Sequence, residues 1–290
     1  MSQNRLRQIR RVLWITLALN FLVALAKLIY GYFTESLSMM ADGYHSLLDG
    51  TSNIIGLVAV GFAAKPADDN HPYGHRKIEA IAAILISGMM FLSCYEILSK
   101  AYFRLSHTVT PEVTLWSFLI MLGTMTINLG VSRYEHREGE RLSSQILTAD
   151  SAHTATDFYA SLSVMIALGA AYFQLFWLDI AAAILIALLV GYSGYKIVWE
   201  SIHILIDTAP LDPEPIAQIA LKIPGVQHCH HIRTRGHSKA IYMDLNIHVD
   251  PKMNIQSAHE LSHQVIQNIK DKMPEVIDVV VHTEPATPHE

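Results

Sequence analysis

The sequence is poor in charged residues, in cysteine and in basic clusters. Only 16% of its 290 residues are Asp, Glu, Lys or Arg, whereas soluble domains average about 25%. The formal net charge is −5 and no block of Lys and Arg occurs, so we expect no nucleic-acid partner. The two cysteines, Cys94 and Cys229, lie in an apolar run and in a polar tail, and we expect no disulfide between them.

Apolar residues make up 51% of the chain, and its mean hydropathy is +0.27. A membrane-spanning helix needs about 20 mostly apolar residues. Six stretches meet this length, some only when polar residues inside them are tolerated: residues 12–33, 38–62, 78–102, 113–132, 145–175 and 178–206. The first follows four arginines, is too long for a signal peptide and lacks a small-residue cleavage site. We therefore expect a six-helix membrane bundle surrounded by lipid.

The character of the chain changes after Asp207, where Pro210, Pro213 and Pro215 indicate a linker. We therefore predict a six-helix membrane domain over residues 1–208 and a soluble domain over residues 209–290. Within the second domain the patterns predict helices at 213–222 and 255–272 and strands at 227–235, 239–249 and 276–283. Apolar and polar residues alternate from Ile241 to Asp250, which is typical of a half-buried strand. The order αββαβ predicts a small α+β, ferredoxin-like or metallochaperone-like fold.

Basic residues in the connections predict the orientation in the membrane. Four arginines precede the first run, Lys65, Arg76 and Lys77 follow the second, and Arg133, Arg137 and Arg141 are expected in the connection after the fourth. Short connections rich in Lys and Arg stay in the cytoplasm. With an even number of spans, both termini are therefore expected in the cytoplasm.

The spacing His-x-x-x-Asp occurs in two of the predicted membrane helices. The second run holds His45 and Asp49, and the fifth holds His153 and Asp157. Residues four apart lie on one face of a helix, so each helix offers an imidazole and a carboxylate to a common point. Two such helices facing each other form a tetrahedral cage with the nitrogen and oxygen ligands that zinc accepts.

A histidine in a membrane helix can instead be a packing residue hydrogen-bonded to a neighbouring helix. The repeated spacing favours a metal site, because ionisable groups inside a membrane usually face the bundle interior and line a pathway. Asp42 and Asp150 each precede a histidine by three residues and face differently, so we interpret them as helix-end groups or partners of the ligands. Metal binds neutral imidazole and ionised carboxylate, so protons compete with it. This favours metal–proton exchange, with uniport as the alternative.

The paired motifs Ala-Asp-Gly-Tyr-His-Ser-Leu-Leu-Asp and Ala-Asp-Ser-Ala-His-Thr-Ala-Thr-Asp resemble those of cation diffusion facilitators. The resemblance extends over nearly the whole chain and includes the six helices and the αββαβ tail. It implies that the chain is not an enzyme but a homodimeric transporter. This transporter would export a divalent cation from the cytoplasm by alternating access. It also implies that His45, Asp49, His153 and Asp157 form the transport site.

The resemblance extends to the choice of metal and of membrane. Bacterial relatives often have Asp where this chain has His45, and His there resembles the zinc-selective pattern. Zn2+ is therefore the expected cargo, with Fe2+, Cd2+, Co2+ and Mn2+ as alternatives. The chain shows neither a targeting extension nor the long His-rich loop of many eukaryotic relatives, which favours the bacterial inner membrane.

A second cluster follows the second run. Asp68, His71 and His75 are close enough in sequence to share one ion, and a polar cytoplasmic loop with solvated histidines is the alternative. The stretch His-Pro-Tyr-Gly-His-Arg-Lys resembles the family's loop site, which implies that these three residues bind metal. The resemblance also implies that Lys77 and Asp207 form an interlocking charge pair of the dimer, whereas lone charges at membrane edges usually snorkel to the surface.

A third cluster lies in the tail. The resemblance implies a binuclear site at the cytoplasmic dimer interface, with His230, His248, His259, His282 and Glu284 as candidates. The chain departs from the family pattern, because Asn246 occupies a usual ligand position and His248 lies two residues further along the same strand face. A displaced, mononuclear or weaker site is therefore expected, and surface histidines without metal are the alternative.

The tail also contains the pattern His-Glu-x-x-His at residues 259–263, the signature of zinc metallopeptidases. Glu260 would act as the general base of such an enzyme. The small tail leaves no room for a substrate cleft, and no glycine-spaced third histidine follows. We therefore expect a transporter, with a membrane metal sensor or scaffold and a metallopeptidase as rival functions.

Overall fold

The computed structural model describes residues 3–33, 37–106, 115–172, 176–237 and 240–286. It divides into two compact units, Met1–Ile202 and His203–Glu290. Six long helices come first along the chain, and a domain with the element order αββαβ follows them. The predicted combination of a helical membrane domain and a small α+β domain is therefore confirmed.

The six long helices are α1 (Gln3–Phe33), α2 (Leu37–Ala63), α3 (Ile78–Ser106), α4 (Leu115–Leu142), α5 (Gln145–Tyr172) and α6 (Phe176–Leu205). By length and composition, α1, α2, α3 and α6 contain candidate membrane spans. Within the described residues α4 and α5 do not meet the same criterion. Charged residues fill the last third of α4, and α5 carries Asp150, His153 and Asp157 in its first half. Residues 113–114 and 173–175 of the predicted spans lie outside the described residues.

Two boundaries differ from the sequence prediction. Arg133, Arg137 and Arg141, expected in the connection between the fourth and fifth runs, lie on α4 instead. Likewise α1 begins at Gln3, so its arginines are helical rather than in a flanking segment. The reason is physical: a helix does not end where its apolar residues end, because Arg and Glu are good helix formers.

The outer surface of the helical unit is apolar. Leu22, Leu92 and Leu188 are each more than 60% exposed, although large contiguous apolar patches are rare on monomeric soluble proteins. Between the helices, Leu13, Ile86 and Ile146 are fully buried. This distribution suits a helix bundle whose outer face meets lipid.

Helices α1, α2 and α5 approach closely at Gly56. A Cβ atom added there would lie 2.9 Å from Ile146 Cγ2 and 3.2 Å from Leu13 Cδ1. Small residues let helix backbones approach in this way inside membranes. Gly56 therefore sets the separation between α2 and its two neighbours.

An ion pair fixes one end of the helical unit. Arg5 of α1 donates from Nη1 and Nη2 to the carboxylate of Glu79 on α3, at 2.9 and 3.1 Å. It also donates to the carbonyl oxygens of Leu142 and Ser143, at 2.7 and 2.9 Å. Because the last carbonyls of a helix lack intrahelical partners, Arg5 satisfies the end of α4 while neutralising Glu79.

The second unit contains α7 (Pro213–Leu221), β1 (His228–His237), β2 (Ala240–Val249), α8 (Ile255–Lys272) and β3 (Val276–Pro285). The sheet order is β1-β2-β3, with β2 antiparallel to β1 and parallel to β3. Asp212 and Asn254 cap the two helices by accepting hydrogen bonds from backbone N–H groups. Strand boundaries lie within two residues of the predicted ones.

The alternation predicted for the second strand is present in β2. Ile241, Met243, Leu245, Ile247 and Val249 are all at most 5% exposed. They form the tail core with Ile216 of α7 and with Val265 and Ile269 of α8. Gly236, predicted between the strands, lies inside β1 with φ of 101°, and residues 238–239 lie outside the described residues. Both cysteines are free, in agreement with the sequence.

Candidate metal centres

The structure brings the four predicted cage residues together around Asp49. Asp49 Oδ1 lies 4.0 Å from His45 Nε2 on the same helix and 3.9 Å from His153 Nε2 on α5. Ligand atoms of His45, Asp49 and Asp157 all lie within 4.8 Å of one another. The i, i+4 spacing on α2 and on α5 directs these side chains to one point. His45, Asp49 and Asp157 thus surround a common point, whereas His153 adjoins this group through Asp49 alone.

The two histidines of this cage differ in environment. The side chain of His153 is 3% exposed, whereas that of His45 is 46% exposed. Both ring nitrogens of His153 are buried without a hydrogen-bond partner. An unsatisfied buried polar atom costs stability, so His153 supplies a nitrogen that a cation would satisfy. His45 therefore lies at the exposed edge of the site.

The loop between α2 and α3 gathers Asp68, His71 and His75. Asp68 Oδ1 lies 3.0 Å from His71 Nδ1, Asp68 Oδ2 lies 3.4 Å from His75 Nε2, and the two rings are 4.3 Å apart. Asp68 Oδ1 also accepts a hydrogen bond from the His71 backbone N–H at 2.7 Å. One carboxylate and two imidazoles therefore surround a common point, in agreement with the predicted grouping.

The surroundings of Asp68 favour its ionised form. The hydrogen bond from the His71 side chain, aided by the His71 backbone N–H and the charges of both histidines, lowers the pKa of Asp68 below its usual value and outweighs the opposing effect of desolvation. An ionised carboxylate is the form that binds metal.

In the tail, three strands each contribute a ligand to one cluster. His230 Nε2 of β1 lies 3.0 Å from His248 Nε2 of β2, and both lie 3.3 Å from Glu284 Oε2 of β3. The strand register places Glu284 directly opposite His248, whereas His230 pairs with Asn246 and reaches His248 diagonally. His248 is 5% exposed, although it lies on the face opposite the apolar core.

The remaining tail candidates lie differently. His282 Nε2 is 3.3 Å from Glu284 Oε1, the other oxygen of the carboxylate, and the His282 side chain is 67% exposed. Asn246 donates to that same oxygen at 2.8 Å, so it orients Glu284 instead of providing a metal ligand. His259 lies on α8, where its Nε2 is 3.1 Å from that of His263. Among the described residues it belongs to no group of three or more potential ligands.

Two further histidines border the cluster and were not predicted. His231 Nδ1 lies 2.6 Å from His230 Nδ1, and the ring of His228 lies 5.7 Å from that of His248. The register of β1 shifts between His230 and Arg233, and His231 has a φ of 49°. This bulge places consecutive histidines on one side of the strand, which strict alternation would not allow. In the sequence, the closely spaced histidines at 228, 230 and 231 could have indicated that these residues join the cluster.

Lys77 and Asp207, predicted as a charge pair of the dimer, lie at the ends of long helices. Lys77 immediately precedes α3, and Asp207 follows α6 with a left-handed φ of 57°. Their pairing stays a prediction. Among the aspartates that precede the cage histidines, the side chain of Asp42 lies outside the described residues, and Asp150 is fully buried. Asp150 accepts a hydrogen bond from Asn53 of α2.

Comparisons with known proteins agree with this architecture. The family model of the cation efflux transmembrane domain matches residues 13–206, and that of the cytoplasmic domain of cation efflux proteins matches residues 209–286. An uncharacterized transporter of Methanocaldococcus jannaschii, MJ0449, is 30% identical over 96% of this chain and 99% of its own length. The manganese efflux system protein MneS of Bacillus subtilis is 29% identical over 93% of each chain.

Among solved structures, the cadmium form of a variant of the MamM C-terminal domain matches with 28% sequence identity. It covers 26% of this chain and 93% of its own, with a TM-score of 0.25. The two family models together cover most of the sequence, from the first long helix to the last strand. The chain therefore belongs to the cation diffusion facilitator family, and it is a multi-pass membrane protein that exports divalent cations and carries a cytoplasmic C-terminal domain that dimerises.

Proposed function

We propose that this protein exports Zn2+ from the cytoplasm in exchange for protons, through a site formed by His45, Asp49, His153 and Asp157. The observation that carries the proposal is the position of Asp49. Its Oδ1 lies 4.0 and 3.9 Å from imidazole nitrogens of two different helices. A carboxylate that joins α2 to α5 in this way is suited to hold one ion between them.

The donor set supports zinc. Two imidazoles and two carboxylates provide the mixed nitrogen and oxygen ligands that Zn2+ accepts in a tetrahedral arrangement, whereas Mg2+, Ca2+ and Mn2+ prefer oxygen. Manganese is the second candidate, because MneS is named as a manganese efflux protein and is 29% identical. Fe2+, Cd2+ and Co2+ are further competitors for such a site.

Proton exchange follows from the same ligands. A metal ion requires neutral imidazole and ionised carboxylate, so a proton that binds either group competes with it. His153 has two buried nitrogens without partners, so the ring gains an interaction when it binds an ion. Release is favoured on the side of the membrane where protons are more concentrated, provided that the cage opens to each side in turn.

The other clusters serve capture and regulation in this proposal. Asp68, His71 and His75 bind metal in the cytoplasmic loop, and His230, His248 and Glu284 bind it in the tail, with His282 beside them. Residues 1–208 form the transport domain, and residues 209–290 form the metal-binding and dimerisation domain. Lys77 and Asp207 pair at the dimer's pivot. Tail metal would bias the conformational equilibrium if it binds one state more tightly. Transport whose metal dependence survives removal of the tail would contradict this role.

Two rival functions have distinct signatures. A sensor or scaffold would bind metal without moving it. A peptidase would use His259, His263 and Glu260, yet both imidazoles are exposed on α8, and Glu260 accepts a hydrogen bond from Gln256. Within the described part of the chain no third ligand joins this histidine pair, although a catalytic zinc site has three protein ligands.

The decisive test is metal transport in proteoliposomes across a fixed pH gradient. The purified protein should move Zn2+ in competition with Mn2+, Fe2+, Cd2+ and Co2+, and movement should be matched by protons in the opposite direction. Asp49→Ala and Asp157→Ala should abolish transport, whereas Glu260→Gln should leave it intact. Metal binding without any transport would establish the sensor. Proton-independent flux would establish uniport, and His45→Asp would show whether His45 selects zinc.

A further inference from the structure

Two carboxyl side chains are completely buried inside the helical unit and are not part of the cage. Glu135 of α4 and Asp150 of α5 are both 0% exposed. Their carboxyl groups lie within hydrogen-bonding reach of each other. Asp and Glu side chains are almost never fully buried in proteins unless they are paired.

Among the described residues, the polar groups that contact this pair from outside it are uncharged. Asp150 Oδ2 accepts from Asn53 Nδ2, and Glu135 Oε2 accepts from Thr154 Oγ1 at 3.1 Å. Thr16 of α1 also contacts Glu135, and Ser52 of α2 contacts Asp150. Within the described residues neither carboxyl forms an ion pair, and neither bonds to a cage residue. No positive charge therefore compensates the two acids.

Each carboxyl also has one oxygen without a partner. Glu135 Oε1 and Asp150 Oδ1 are buried and accept no hydrogen bond. Two ionised carboxylates can only accept, so they cannot satisfy each other. A proton on either group turns it into a donor and removes one of the two buried negative charges. Adjacent buried carboxyls without a cation do not both ionise.

We propose that Glu135 and Asp150 together bind a proton at a site separate from the metal cage. Four helices build this site, because α1 and α2 supply its neutral donors and α4 and α5 its carboxyl groups. The binding of the proton is independent of the proposed zinc transport. Its use as the exchanged counter-ion rests on that proposed function.

Infrared spectroscopy tests the site directly in the metal-free full-length protein at neutral pH. A protonated carboxyl has a carbonyl stretch well above the carboxylate bands, and the stretch shifts in D2O. The difference spectrum between wild type and the double variant Glu135→Gln/Asp150→Asn should show this band. Glu79→Gln is the matched control, because Glu79 is buried but paired with Arg5, and it should leave the band unchanged.

Glu135→Gln alone preserves the size of the side chain and is measured in parallel, so that the result does not depend on the folding of the double variant. It should remove or shift the band. A band that is absent from wild type, or unchanged in both variants, overturns the proposal. Carboxylate bands that move on addition of Zn2+ or Na+ in the triple variant Asp49→Ala/Asp68→Ala/Glu284→Gln, and that no longer move when Glu135→Gln is added, would instead identify a cation site and overturn the proposal.

The number of protons moved per metal ion then shows whether the bound proton is also exchanged during transport. In proteoliposomes that transport metal, a smaller number of protons per metal ion in Glu135→Gln than in wild type would show that this proton is exchanged. An unchanged ratio with the infrared band present would show a resident proton and would leave the antiport proposal unaffected. If no metal is transported at all, the infrared result still decides whether the proton is bound.

Discussion

Asp49 of α2 and His153 of α5 meet across the interface of their two helices, with 3.9 Å between Oδ1 and Nε2. Asp49 also lies 4.0 Å from His45 on its own helix. One carboxylate thus connects both imidazoles. Among the four residues of the cage, Asp49 is the one whose loss should separate the two halves of the site.

Asp49→Asn is therefore expected to abolish transport while leaving the fold intact, because the amide has the same shape but a much weaker oxygen ligand. Loss of residues that merely support ligands costs on the order of 10- to 100-fold in affinity, so we expect at least 100-fold weaker metal binding at the cage. Metal uptake into proteoliposomes measures the loss of transport. Asp271→Asn, an exposed change on α8, is the control. Transport at the wild-type rate in Asp49→Asn would place the cargo elsewhere.

Gly56→Ala should destabilise the helical unit. The added methyl group would lie 2.9 Å from Ile146 Cγ2 and 3.2 Å from Leu13 Cδ1, and overpacking of this kind costs about 1–3 kcal/mol. Gly61→Ala on the same helix is the matched control, because a Cβ there meets no atom within 4 Å. The melting temperature measured in detergent should fall for Gly56→Ala and not for Gly61→Ala. Equal melting temperatures would show that α2 is free to shift.

Arg5→Ala should cost about 3–5 kcal/mol of stability, because it leaves the buried carboxylate of Glu79 without its partner. The side chains of Arg5 and Glu79 are only 16% and 7% exposed. Replacing both, as in Arg5→Met/Glu79→Leu, should recover much of the loss, since no buried charge is left unpaired. A double-mutant cycle on unfolding midpoints measures the coupling. Additive effects of the two single changes would contradict this pairing.

His248→Gln should weaken metal binding by the tail more than His259→Gln. His248 contacts both His230 and Glu284, whereas His259 contacts His263 on the exposed face of α8. Binding is measured on the full-length protein that also carries Asp49→Ala and Asp68→Ala, so that only the tail responds. The reverse order of effects would move the tail site to α8.

The loop around Asp68 should keep its fold down to acidic pH. The pKa of Asp68 is lowered chiefly by the hydrogen bond from the His71 side chain. A carboxyl with a lowered pKa stabilises the folded loop above its ordinary pKa, about 3.9, and this contribution disappears only as pH falls through the lowered value. The rate at which a protease cleaves the metal-free loop should therefore be the same at pH 7 and pH 5 in the wild type. At both pH values the loop of Asp68→Asn should be cleaved faster than that of the wild type.

In the same loop, Asp69→Asn is the control, because the described side-chain hydrogen bonds of the loop are made by Asp68. Metal bound by the loop should nevertheless be released on acidification, because protons compete with metal for its ligands. Proteolysis that accelerates at pH 5 in the metal-free wild type would show that Asp68 does not hold the loop.

The cage could be predicted because its information is local. His45 with Asp49 and His153 with Asp157 repeat a spacing that any helix converts into a shared face. The alternation in β2 likewise determined which residues enter the tail core. Both patterns depend only on helix or strand geometry, so the sequence alone contains them.

Features that depend on neighbours were missed. Glu135 lies in the charged stretch Tyr-Glu-His-Arg-Glu-Gly-Glu-Arg, which predicts a solvated segment, yet packing of α1 and α5 around α4 buries it completely. His231 joins the tail cluster through a bulge that no period-2 pattern contains. Asn246 resembles a lost ligand in the sequence, whereas in the structure it holds Glu284 by a hydrogen bond.

Asn53 has a consequence for how the protein opens. Its side chain bonds to Asn20 and Thr16 of α1 and to Asp150 of α5. Separating these helices would leave several buried polar groups without hydrogen-bond partners, because no water is present there to replace the lost bonds. Glu135 of α4 also contacts Asp150 and Thr154 of α5, so these bonds favour joint movement of α1, α2, α4 and α5. A covalent link between α1 and α2 at this depth should therefore leave the transport cycle running.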